Sequence, residues 1–156
     1  MSELFPGYVI DTSALIDLWR PYPRDIFKSL WSKVTVLIAD GELIAPQEVL
    51  KELEQQHDDL LRWAKKQTFF KELDNEQIVL LHDIVHRFPD IVDVEKTKAD
   101  ADPHVIALAM SKGWKVVTQE KYTKPQARKK IPDVCEHYRI PCLSLFDFFR
   151  DKGWNF

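Results

Sequence analysis

The stretch "YVIDTSALIDLW", residues Tyr8 to Trp19, decides how the rest of the chain is read. Val9 and Ile10 are β-branched and apolar, as in a short buried strand. The run then stops on a carboxylate, Asp11, followed by two hydroxyl residues, Thr12 and Ser13. An acid in that position either caps a helix starting at Thr12 or is held at a sheet edge to bind a cation.

Working outward, four more short runs read as strands: Leu43–Ala45, roughly Phe69–Leu73, Lys115–Thr118 and Pro141–Ser144. Helical spacing fills the gaps. Ile26, Leu30, Val34, Leu37 and Ile38 form one apolar stripe, and Ile78, Leu81, Ile84, Val85 and Phe88 form another. Val105, Ile106, Leu108, Ala109 and Met110 crowd a third helix, which Gly113 ends. Strands alternating with helices imply an α/β fold, a three-layer α/β/α sandwich around a mostly parallel sheet of about five strands.

At 156 residues and 45% hydrophobic content, the chain supports one well-filled core, so residues 1–156 are read as a single domain. No apolar run approaches the roughly 18 residues of a membrane span, and the start "MSELFPGYVID" lacks a signal-peptide pattern. A cytoplasmic protein with no membrane partner is expected. Cys135 and Cys142 form no framework or zinc pattern and read as small core residues. A net charge of −3 argues against coating nucleic acid non-specifically. None of the four glycines builds a phosphate-cradling loop, which counts against a nucleotide-binding module.

In an open parallel sheet, ligands bind at the C-terminal ends of the strands. Asp11 follows the first strand there, the helix beginning near Asp102 starts there, and "KVVT" delivers Glu120 to the same edge. Each acid also has a structural reading. Asp11 and Asp102 suit helix caps, the latter with Pro103 at the first helical position, and a glutamate such as Glu52 in "PQEVLKELEQQ" is usually solvated. Carboxylates crowded together repel unless a cation neutralises them, and oxygen-only ligands favour Mg²⁺ or Mn²⁺ over zinc. Such an ion supports phosphodiester hydrolysis.

The order "VIDTSALID", "LIAPQEVLKELE", "ADADPHVIALAMSKG" and "KVVTQEKY" resembles the PIN-domain family across essentially the whole chain. The resemblance implies a metal-dependent ribonuclease acting on RNA, with Asp11, Glu52, Asp102 and Glu120 as its acidic, metal-binding set. Thr12 or Ser13 would orient Asp11 or a water, and Thr118 opens the fourth motif. It also implies a toxin role with a cognate antitoxin, and a homodimer. Glu120 is one methylene longer than the family's usual aspartate. Glu48 competes with Glu52, since residues four apart share a helix face; family spacing favours Glu52, just before Leu53. Asp100, two residues before Asp102, does not share its face.

"KYTKPQARKK", Lys121 to Lys130, carries five basic residues and no acid. Beside a cutting site, Lys121, Lys124 and Arg128 would hold RNA phosphates. Trp19, Tyr22 and Trp31 offer stacking faces but equally suit a core. Rival readings are weaker. His82-Asp83-x-x-His86 resembles a helical zinc-protease motif but has no glutamate base or evident third ligand. A dehalogenase-like phosphotransferase would need an acid where Ser13 stands. The remaining alternative is an inert PIN-like module that binds RNA or protein.

Overall fold

The computed structural model describes residues 6–56, 58–92, 100–124 and 127–156. The first five residues of the N-terminal reading, Ala99 of the third motif, and Pro125 and Gln126 of the basic run lie outside the described residues.

Five parallel strands form one sheet: β1 (Tyr8–Ile10), β2 (Leu43–Pro46), β3 (Phe70–Lys71), β4 (Lys115–Val117) and β5 (Cys142–Leu143), in the order β3-β2-β1-β4-β5. The first strand is central because its residues are buried on both faces: Val9 pairs with Ile44 on one side and Val116 on the other. Eight α-helices cover the sheet among the described residues, completing the α/β/α sandwich. They are α1 (Thr12–Trp19), α2 (Lys28–Ala39), α3 (Gln47–Leu53), α4 (Asp59–Lys65), α5 (Asn75–Arg87), α6 (Asp102–Lys112), α7 (Ile131–Tyr138) and α8 (Leu145–Asp151). None of them is long and apolar enough to cross a membrane.

The helices show why the apolar patterns were mostly sound. Leu30, Val34 and Leu37 bury one face of α2, and α6 is buried nearly all round from Val105 to Ala109. Gly113 ends α6 at a φ of 68°, a left-handed conformation that glycine adopts without a Cβ clash. Gly7 meets a different need: a Cβ there would lie 2.4 Å from the Trp114 ring.

Two stripe members and one cap differ from expectation. Ile26 precedes α2, in a turn where Phe27 N–H bonds the Pro23 carbonyl, and is 70% exposed. On α5 the inward residue of the first turn is Gln77, and Ile78 faces outward. Asp102 is not the cap of α6 but its first residue; the cap position is Ala101, and Asp100 accepts the Asp102 N–H at 3.4 Å. With Asp100 accepting that N–H, Asp102 stands inside the first turn, where a negative charge favours the helix dipole.

At the C-terminal end of α1, Trp19, Trp31 and Trp63 form a triangle with centroid separations of 5.5–5.6 Å. Arg24 covers Trp19 at 4.9 Å, and Trp31 donates its ring N–H to the Tyr22 carbonyl. Of the three aromatics considered for stacking, Trp31 is buried, and Trp19 and Tyr22 are half-buried and packed against the core.

Candidate acidic site at the sheet edge

Strand order reverses direction at β1, with β2 on one side and β4 on the other. The crevice at the ends of β1 and β4 is therefore the natural ligand site of this topology. Asp11 leaves β1 there and becomes the N-cap of α1, its Oδ1 accepting the Ala14 N–H at 2.8 Å. Its structural reading is thus realised, but capping occupies only part of the carboxylate. Ser13 donates across both oxygens at 2.9 Å, and Thr118, at the end of β4, donates to Oδ2 at 2.5 Å.

Burial dominates the electrostatics of Asp11. At 2% exposure, desolvation pushes its carboxyl from 3.8 up to about 7. Bonds from Thr118, Ala14 and Ser13 oppose the rise, and the Glu120 charge adds to it. Among the described residues no lysine or arginine pairs with Asp11. A carboxylate so placed is under-neutralised in its own fold.

The other three acids line the same cleft of about 290 Å³, together with Asp11, Thr12 and Ser13. Glu52 arrives from α3, where Thr12 donates to its Oε1 at 2.5 Å. Asp102 comes from the first turn of α6 and is 8% exposed. Glu120 follows β4, and its Oε1 accepts the Ile131 N–H that opens α7. Four acids separated by up to the length of the Asp11–Glu120 segment thus share one wall.

The choice between the two α3 glutamates resolves at this level. Glu48 turns toward α6, with its Oε1 3.4 Å from His104 Nδ1, whereas Glu52 turns toward α1. That His104 nitrogen is buried without an aligned hydrogen bond, so Glu48 acts on it through charge alone. Burial holds the imidazole below its usual pKa, against the upward pull of Glu48 and Asp100.

Outside the cleft the bases divide. Lys121 lines an adjoining groove, Lys124 is exposed, and Arg128 donates to the carbonyls of Asp90 and Ile91. His82 and His86 are exposed on α5, and Asp83 between them is engaged by Tyr138 and Arg87. Cys135 is buried and Cys142 half-buried, both free thiols; a hydrogen bond with Cys142 and burial push the Cys135 thiol up.

Sequence reading missed Gln119. Its amide donates to Asp17 and accepts the Leu145 N–H, while its own N–H bonds Ser13, so it ties α1, β4 and α8 together behind the acids. No local pattern marks such a residue, since its partners Asp17 and Leu145 lie 102 and 26 positions away. Gln55 and Gln56, which line the cleft past Glu52, likewise carry no motif.

A family model described as DUF4411, a domain of unknown function, matches residues 8–156. The chain belongs to that family. The match begins at the first residue of β1 and takes in every acid of the cleft. None of the curated proteins matches the chain.

The acids offer a hard, all-oxygen donor set, and Asp11 lacks a cationic partner; both features suit Mg²⁺ or Mn²⁺. Among the described residues, however, no three His, Cys, Asp or Glu side chains stand close enough to hold an ion between them. The Glu120 carboxylate is engaged by the α7 backbone.

Proposed function

We propose that this protein is a divalent-metal-dependent endoribonuclease of PIN type, hydrolysing RNA phosphodiester bonds. The observation that carries the reading is the gathering of Asp11, Glu52, Asp102 and Glu120 in one cleft at the β1/β4 crevice. Asp11, Glu52 and Asp102 would hold Mg²⁺ or Mn²⁺ once their side chains draw together around it, and Glu120 would complete the set on turning from Ile131. When bound, the ion would supply an activated water and neutralise charge building on the phosphodiester.

The chain's own residues contribute orientation. Thr118 and Ser13 fix the plane of the Asp11 carboxylate, and Thr12 fixes Glu52 from the adjacent residue. Desolvation around Asp11 strengthens any attraction to a cation, since the interaction is poorly screened there.

The test is cleavage of a mixed structured and single-stranded RNA pool by wild type, Asp11→Asn and Asp102→Asn, with Mg²⁺, Mn²⁺ or EDTA. Asparagine still caps α1 through its amide oxygen, so Asp11→Asn keeps the fold. Cleavage is expected to need both metal and Asp11, falling by about a hundredfold or more in either variant. Full activity in either variant would refute the assignment.

A second reading, an inert RNA- or protein-binding module, draws on the Glu120–Ile131 bond, which uses that carboxylate structurally. Calorimetric titration with Mn²⁺ separates the two: no heat from wild type would favour the inert module.

A further inference from the structure

Beside the acidic cleft, between the ends of β4 and β5, lies a second groove of about 450 Å³. The two linings share Glu120, whose side chain partitions this edge of the sheet. Their linings differ. The second groove has an apolar floor of Pro132, Cys142 and Leu143, with Tyr122, Lys121 and Ser144 around it. Tyr122 is the aromatic of this lining and is 62% exposed, in contrast to Trp19, whose ring is covered by Arg24 and two tryptophans.

We infer that this groove seats one unpaired nucleobase of single-stranded RNA, stacked on Tyr122, next to the nucleotide whose phosphodiester lies in the acidic cleft. The choice of polymer rests on the nuclease reading; the seat itself rests on the groove. A base has apolar faces and is tied to an anionic phosphate, which matches an apolar floor and open ring with the Lys121 ammonium alongside. A base in a duplex keeps its faces stacked on its neighbours, so the seat selects single strands or loops. Stacking is sequence-tolerant, and the Ser144 hydroxyl, which accepts the Asp147 N–H, is the group placed to add a base-edge contact.

The experiment uses the full chain and a short single-stranded RNA in which an abasic site is moved one nucleotide at a time. Binding is read by fluorescence anisotropy in Ca²⁺ and in EDTA, and cleavage separately in Mn²⁺. Tyr122→Ala is expected to weaken binding of the intact RNA by about tenfold or more, and Tyr122→Phe to leave it near wild type. One abasic position is expected to weaken wild type by a similar factor and bring it level with Tyr122→Ala. Equal binding by wild type and Tyr122→Ala, or no binding of the RNA by wild type, overturns the seat. Asp11-dependent cleavage unaffected by Tyr122→Ala keeps the nuclease and removes the seat. Tyr122-dependent binding without cleavage does the reverse.

Discussion

Two carboxylates sit at opposite ends of the same pair of central strands, and the fold treats them in opposite ways. At the N-terminal end, Asp151 of α8 accepts from Lys115 at 2.6 Å and from the Tyr8 hydroxyl at 2.5 Å. Desolvation pushes its pKa up, but the Lys115 and Tyr8 bonds and the lysine charges outweigh it and hold the group below the usual carboxylate value. At the C-terminal end, Asp11 receives only neutral donors, and its burial wins. The difference separates an acid held by cationic and hydroxyl donors from one that receives only neutral donors.

The comparison can be broken most sharply by exchanging the two losses. Asp11→Asn is expected to abolish metal-dependent RNA cleavage without lowering the unfolding midpoint, whereas Asp151→Asn leaves cleavage near wild type and lowers that midpoint. A variant pair that behaved alike in both assays would erase the distinction.

pH offers the next largest effect, with opposite signs at the two ends. The folded pKa of Asp11 lies above its unfolded value, so the folded state binds the extra proton between pH 3.8 and about 7. Its contribution to stability is present below that window and lost as pH rises through it, by about 4 kcal/mol at most. Asp151 runs the other way: its contribution is present above the unfolded value and lost as pH falls through the depressed folded one. Urea unfolding of metal-free protein across this range, for wild type and Asp11→Asn, checks the sign; wild type should lose stability toward neutral pH relative to the variant, and Mn²⁺ should restore it.

Smaller effects test the structural end alone. Asp151→Ala removes the acceptor shared by Lys115 and Tyr8 and is expected to cost about 1–2 kcal/mol, read from the urea midpoint. At the end of α7, Arg139 adopts a left-handed φ of 58°, a conformation costly for a residue with a Cβ. Arg139→Gly should stabilise the protein by about 1 kcal/mol or less while cleavage stays unchanged.

The layers of this protein were legible because each depends on short-range patterns. The Val9–Ile10 run, the helix stripes and Gly113 report strand, helix and stop from neighbours within a few residues. Even Asp11 and Asp102 were visible, because an acid just after a strand or at a helix start lands on a known edge of a parallel sheet. Alternatives stayed open where two local options were equally good. Glu48 and Glu52 share one face of α3, and only the docking of that helix between α1 and α6 turns one to Thr12 and the other to His104. The aromatic residues of α1 and α2 were ambiguous for the same reason: a tryptophan that stacks on a base and one that stacks on another tryptophan look identical in sequence.

The sequence by itself determined the alternation of strands and helices, the parallel sheet and the edge at which its acids would emerge, since these follow from periodicity and chain direction. Tertiary structure alone decided that Glu52 joins Asp11, that Glu120 is tied to α7, that Gln119 braces the site, and that Tyr122 keeps an exposed ring beside it. Those outcomes depend on contacts between segments far apart in the chain, whose relative positions are set by how the helices pack on the sheet.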